Sequence, residues 1–377
     1  MSDLRPGATP GSAADDPART LRDHLLLRDW APRPALRLAE TVVTTPAYPV
    51  VDVHNHVGRW LAADGGWLAA DVDALVSLLD DAGVATLVNL DGRFGADLVD
   101  NLARYDHAHP GRFVTFCHVD WSRLSDDLPG GDPQRSPVVQ ELRAGLAHAA
   151  TIGARGVKVW KDLGLQVRDA SGQLVMPDDP RVVAVLQVAG ELGLPVLIHT
   201  ADPVAFFDPL DTHNERVDEL GEMPEWWFGA PGYPTFERLM GCLDGLLAAC
   251  PGTTFIGAHV GCWSEDLAAV GRMLAQRPNW NVDLGGRLGE IGRQPHTFAR
   301  FVADFPDRVL FGTDAFPPSP QDYHRYYRFL ETDDDHFAYA DSAVPPQGRW
   351  AIYGCDLPDH LLEAVYSANA VRLLRLG

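Results

Sequence analysis

The sequence predicts an α/β fold, a (β/α)8 TIM barrel, on three observations. From Val50 onward, short β-branched or apolar runs alternate eight times with helix-length amphipathic stretches. No GxGxxG motif follows the first run, which removes the main signature of an open dinucleotide-binding sheet. At 377 residues, 46% of them hydrophobic, the chain can bury a large core and matches the length of a single barrel domain.

Residues 1–19, rich in Pro, Gly, Ala and Asp, are expected to be a disordered tail, and 20–377 a single domain. The tail has no apolar stretch of the kind a secretory signal needs. Residues 20–48 are expected to hold a short helix and an irregular lead-in. The predicted strands are VVDVH (50–54), VATLVNL (84–90), RFVTFCHV (112–119), RGVKVW (155–160), PVLIH (195–199), TTFIGAH (253–259), NWNVDL (279–284) and RVLFGTD (308–314). Helices are predicted over 71–82, 96–107, 137–150, 180–192, 234–250, 264–276, 296–304 and 358–374. Gly83, Gly193, Pro195, Pro251 and Gly252 stand where helices must stop. Two connections are long, 200–234 after strand 5 and 315–358 after strand 8. Both follow strands, so both belong to the face where barrel active sites form.

Composition narrows the function. Lys and Arg number 31 against 52 Asp and Glu, a net charge of −21. Such a surface repels phosphate backbones and anionic lipid, so no nucleic-acid or membrane partner is expected. No apolar run approaches the ~18 residues of a membrane span. Five scattered cysteines, with no CxxC pair, point to reduced thiols and a cytoplasmic protein rather than a disulfide scaffold or thiolate zinc site.

The chemistry gathers at strand ends. In strand 1, His54 and His56 lie two residues apart and share one side of the strand. Strand 5 ends in His199, strand 6 in His259 and strand 8 in Asp314. A parallel barrel brings all these ends to one mouth. Imidazoles and a carboxylate form an N/O site suited to Zn²⁺, and also to Mn²⁺, Fe²⁺ or Co²⁺.

The ordered set DVHNH (52–56), PVLIH (195–199), FIGAHVG (255–261) and RVLFGTD (308–314) resembles the amidohydrolase superfamily of metal-dependent TIM barrels. Within it, the set is similar to the amidohydrolase-related branch that holds aminocarboxymuconate-semialdehyde and benzoate-type decarboxylases alongside hydrolases. The resemblance implies one divalent metal ion held by His54, His56, His199 and Asp314. It implies Asp314 as general base, with His259 beside the activated water or substrate. Some members bridge two metals through a carbamylated strand-4 lysine. Lys158 stands at that place, but its expected role is an ordinary lysine at the rim.

Other side chains at the same face are candidate substrate contacts: Arg93, His118, Trp121, Lys158 and Arg287. An arginine past a barrel strand is a natural carboxylate clamp, unless one of the many surplus carboxylates pairs with it. The Trp226, Trp227 and Phe228 cluster either walls the pocket or meets another subunit in a homo-oligomer. The leading functional reading is a hydrolase in which hydroxide on the metal attacks a C–N or C–O bond of a small molecule. The alternative is a non-oxidative decarboxylase of a carboxylated substrate on the same ligands. A non-catalytic barrel fits poorly, because all five mouth positions are filled.

Overall fold

The computed structural model describes residues 17–377. Eight parallel strands run in the order β1 to β8: Val50–Asn55, Val84–Asn89, Phe113–His118, Gly156–Val159, Val196–Ile198, Phe255–Gly257, Trp280–Asp283 and Val309–Leu310. The seam closes through Val53 N–H donating to the Phe311 carbonyl at 3.0 Å and Asp314 N–H to the His54 carbonyl at 2.7 Å. The result is a TIM barrel.

All eight predicted strands form; β1 runs one residue longer than predicted, to Asn55, and the other seven are shorter. The residues trimmed from β5, β6 and β8 include His199, His259 and Asp314, and His56 follows the end of β1. They sit where pairing stops and the chain turns into loops, which frees their side chains at the mouth.

The predicted helices form at Val72–Asp81, Gly95–Leu102, Pro137–Ile152, Pro180–Glu191, Phe236–Ala249, Leu267–Gln276 and Pro295–Asp304. The second ends in a π-helical turn, Ala103–His107. The C-terminal stretch is helical over Asp359–Glu363, π-helical to Ala368 and helical again to Leu374. Buried Val51, Val88, Val114, Phe116, Leu197, Ile256 and Leu310, from six strands, line the barrel interior. A larger cluster packs helices onto strands.

Three differences have physical causes. A helix, Pro17–His24, starts inside the expected tail, with proline in its first turn; the rest of that expected tail lies outside the described residues. The loop after β5 carries a short helix, Val217–Glu222. The loop after β8 carries a longer one, Pro320–Glu331, started by a capping box in which Ser319 and Asp322 satisfy each other's backbone N–H groups. Among the described residues, no helix is long and apolar enough to cross a membrane.

Candidate active site

The mouth is built from strand ends, and each histidine there has one ring nitrogen tied down. His54 Nδ1–H donates to Asp283 Oδ2 at 2.9 Å, and His56 Nδ1–H to Asp91 Oδ1 at 2.7 Å. His199 Nε2–H donates to Asp202 Oδ1 at 3.2 Å. His259 Nδ1–H donates to the Gly285 carbonyl at 2.7 Å. These acceptors fix each tautomer, so the other nitrogen of each ring carries a lone pair.

Those lone pairs converge. His54 Nε2 and His56 Nε2 each lie 3.4 Å from Asp314 Oδ1. His199 Nδ1 and His259 Nε2 face each other at 3.3 Å. Acceptor faces acceptor throughout, which is repulsive unless a cation lies between them. Among the described residues, the side-chain donor that reaches the set is Lys158 Nζ, 3.5 Å from His54 Nε2. A tetrahedral ion with bonds of about 2.0–2.1 Å separates its ligand atoms by about 3.3–3.4 Å, and these spacings match. His54, His259 and Asp314 form a trio with one donor each, all within 4.8 Å of one another. His56 joins that trio through Asp314, and His199 joins it through His259. The donor chemistry therefore fits a divalent metal.

Electrostatics follow from burial and neighbours. Burial opposes ionisation of Asp314, but His54, His56 and Lys158 outweigh it and hold the carboxyl well below its usual range. Burial pulls Lys158 down to about 8, with nearby carboxylates resisting. Burial, then the Arg287 charge, pushes His259 well below the ordinary histidine value. For His56 the carboxylates of Asp91 and Asp314 outweigh burial and raise the pKa. Asp314 keeps 23% of its side chain exposed, whereas His54 and His56 keep 1% and 2%. The opening of the site is therefore at Asp314.

The backbone is strained where it presents these groups. His259, Val260, Gly261 and Cys262 all have positive φ, forming a left-handed turn, and Asp314 has φ of 59°. A β-branched residue such as Val260 rarely adopts this region. Gly285 is required for another reason: a Cβ there would lie 2.9 Å from His54 Nδ1.

The structure separates the expected substrate contacts. Arg287 is 8% exposed, and its guanidinium donates to the Gly286 carbonyl at 2.9 Å. Among the described residues no carboxylate pairs with it. Arg293, by contrast, pairs with Glu215 at 2.8 Å. Arg93 stacks on Trp60 at 3.9 Å and on Phe94 at 4.8 Å. His118 donates Nε2–H to the Leu90 carbonyl at 2.6 Å and touches Arg93, a bracing position below the mouth. Trp121 is a correction: it is buried in the helix–strand core, because the chain turns inward immediately after Asp120. Trp226, Trp227 and Phe228 pack within their own loop. Trp226 stacks on Phe206, Trp227 Nε1–H donates to the Asp208 carbonyl, and Phe228 meets Phe207.

Sequence reasoning missed several groups. Asp202 braces His199 from three residues away, a spacing visible in the sequence. Trp160, two residues past Lys158, packs on His56 at 5.0 Å, and Trp60 and Phe316 extend that wall. No local signal announces the buried pair Arg216 and Glu290, which ties the β5 loop to the β7 loop.

Comparison with known proteins agrees with this geometry. The family model described as Amidohydrolase matches residues 51–376, and the chain belongs to that family. It is thus an enzyme of the amidohydrolase superfamily, a class that works with bound metal. Among solved structures it is similar to an uncharacterised TIM-barrel protein from Bordetella bronchiseptica. The identity is 14% and the TM-score 0.53, over 87% of this chain and 98% of that one. It is also similar to 2,6-dihydroxybenzoate decarboxylase from Rhizobium, at 16% identity and TM-score 0.51, over 87% and 99%. At these identities the likeness is one of fold. No curated protein matches.

Proposed function

We propose that the chain is a metal-dependent hydrolase acting on a C–N or C–O bond of a small molecule. The observation that carries this reading is the position of Asp314. One of its oxygens faces His54 and His56, the other lies 3.9 Å from His259 Nδ1, and the residue stands at the opening. His54, His56, His199 and Asp314 would hold one divalent ion, Zn²⁺ by preference for this donor set. When bound, that ion supplies Lewis acidity and lowers the pKa of water towards 7.

The chain's own residues do the rest. Asp314, ionised at neutral pH, accepts the proton as general base. Neutral His259 has committed its N–H to Gly285, so it orients a proton donor and cannot donate to an oxyanion. Trp160, Trp60 and Phe316 wall one side and limit water. The five cysteines stay unpaired, which suits a cytoplasmic setting.

One observation favours a second reading. A buried guanidinium that no carboxylate among the described residues pairs with, Arg287, is suited to clamp the carboxylate of a substrate that loses CO₂. A panel of lactones, amides, carboxylated aromatics and muconates, assayed with the metal-replete protein, tests both. Hydrolysis of an ester or amide supports the first. CO₂ release with no hydrolysis replaces it with the decarboxylase.

A further inference from the structure

The segment of residues 17–42 differs from the rest of the molecule. Every one of its side chains is exposed. Yet it carries eight of the large exposed hydrophobic residues: Leu21, Leu25, Leu26, Leu27, Trp30, Leu36, Leu38 and Val42. The remaining described residues, 43–377, carry ten, spread along the chain with only Trp60 and Leu61 adjacent. An arm that leaves this much apolar surface open gains little to offset the entropy of ordering it. A contiguous apolar surface of this kind marks an interaction site.

The arm is attached to its own chain by polar anchors. Thr41 donates from N and Oγ1 to Asp334 at 2.9 and 2.8 Å. Glu40 meets Arg328 at 3.5 Å, and Arg349 reaches the Trp30 carbonyl. The apolar side chains are left facing out. The arm also opposes the charge of the molecule. It holds five arginines against three acids, in a chain of net charge −21. Among the described residues, no carboxylate pairs with Arg19, Arg28, Arg33 or Arg37.

Beside it lies an open groove of about 480 Å³. Leu36, Leu38, Val42 and Phe337 line it together with Glu40 and Asp335. The arm thus carries apolar surface and a local excess of arginine over carboxylate on a strongly acidic molecule. A segment of net positive charge complements the acidic body of a second copy, and a two-fold axis lets both arms make that contact at once.

We infer that residues 17–42 form the interface of a two-fold homodimer, with the arm of each copy seated on the arm and groove of a second copy of this chain. The acidic body of that copy supplies the charge the arm lacks at home.

Sedimentation velocity on the full chain tests this. The wild type is expected to sediment as a dimer at micromolar concentration, and to dissociate more readily as salt rises. Leu26→Glu/Leu27→Glu and, separately, Arg28→Glu/Arg37→Glu are expected to weaken dimerisation at least about 100-fold, with unchanged circular dichroism. All four residues are exposed in the single chain, so folding is spared. Leu128→Glu, an exposed residue on the far side of the sequence, should leave the dimer intact. A wild type that stays monomeric at 100-fold higher concentration overturns the proposal, as does a dimer that persists in both double variants. A monomeric wild type that co-sediments with phosphatidylglycerol vesicles also overturns it, and assigns the arm to an anionic membrane.

Discussion

The β1–β8 seam and the β5–β6 rim hold the same kind of side chain by different means. On the seam, His54 and His56 are braced by Asp283 and Asp91, which come from other strand ends. Asp52 adds bonds to Thr313 and Tyr323 across the closure. On the rim, His199 is braced by Asp202 in its own loop, and His259 by a left-handed turn and a backbone carbonyl. A carboxylate brace raises the basicity of the free nitrogen, whereas a carbonyl brace does so far less. On the proposed reading this difference equips His54, His56 and His199 as ligands and leaves His259 in a neutral role beside them.

The largest effect should come from removing a ligand on either side. His54→Ala and His199→Ala are each expected to abolish the single bound metal, measured by elemental analysis of protein purified without added metal. Full occupancy in both would remove the ligand assignment and the contrast with it.

Asp314→Asn should lower kcat by about 10²–10⁴ while metal, supplied in excess, still binds. An amide oxygen can ligate but cannot take a proton at neutral pH. Near-wild-type turnover in the metal-replete variant would move the general base elsewhere.

The braces give a smaller effect and a sharper comparison. Asp283→Asn and Asp202→Asn should each weaken metal affinity about 10–100-fold, and replacing the carbonyl brace is not open to side-chain mutation at all. Metal titration that finds neither change would show that the carboxylates do not set the ligands. Lys158 should carry no carbamate, so the intact mass should show no added CO₂; a carbamate would make it a bridge between two ions.

The smallest effect lies at the foot of the arm. Burial works against the Asp334 carboxylate, but Thr41 and Arg328 outweigh it and hold its pKa below the usual range. Its contribution is therefore full above a pH of about 4 and fades as the pH falls further. Asp334→Asn should cost about 1–2 kcal/mol at neutral pH, read as a modest drop in Tm that narrows at acid pH. An unchanged Tm at neutral pH would show that these bonds add nothing net.

The strands and four of the five mouth histidine and aspartate positions follow directly from β/α alternation, because a strand end has only one place to go in a closed barrel. His56 needed the further rule that side chains alternate. The braces were harder. Asp91 and Asp283 stand near strand ends, but which histidine each serves depends on how the barrel closes. The helix Pro320–Glu331 left its mark as Ser319 and Asp322, a cap within a segment expected to be loop. Trp121 misled because it follows a strand end, yet a turn of one residue carries it from the mouth into the core.

His54 and Asp314 come from the first and last strands, and they meet across the seam where Asp314 N–H bonds to the His54 carbonyl. The metal donors are thus not complete until the last strand has docked. A nascent chain emerging from the ribosome has no such set until β8 is out and the barrel has shut. Metal therefore cannot nucleate folding of the early strands; it can only lock a barrel that has already found its topology. Any break that lets β8 slip from β1 takes Asp314 out of the donor set at the same moment, so weakened metal binding reads out the opening of this one joint.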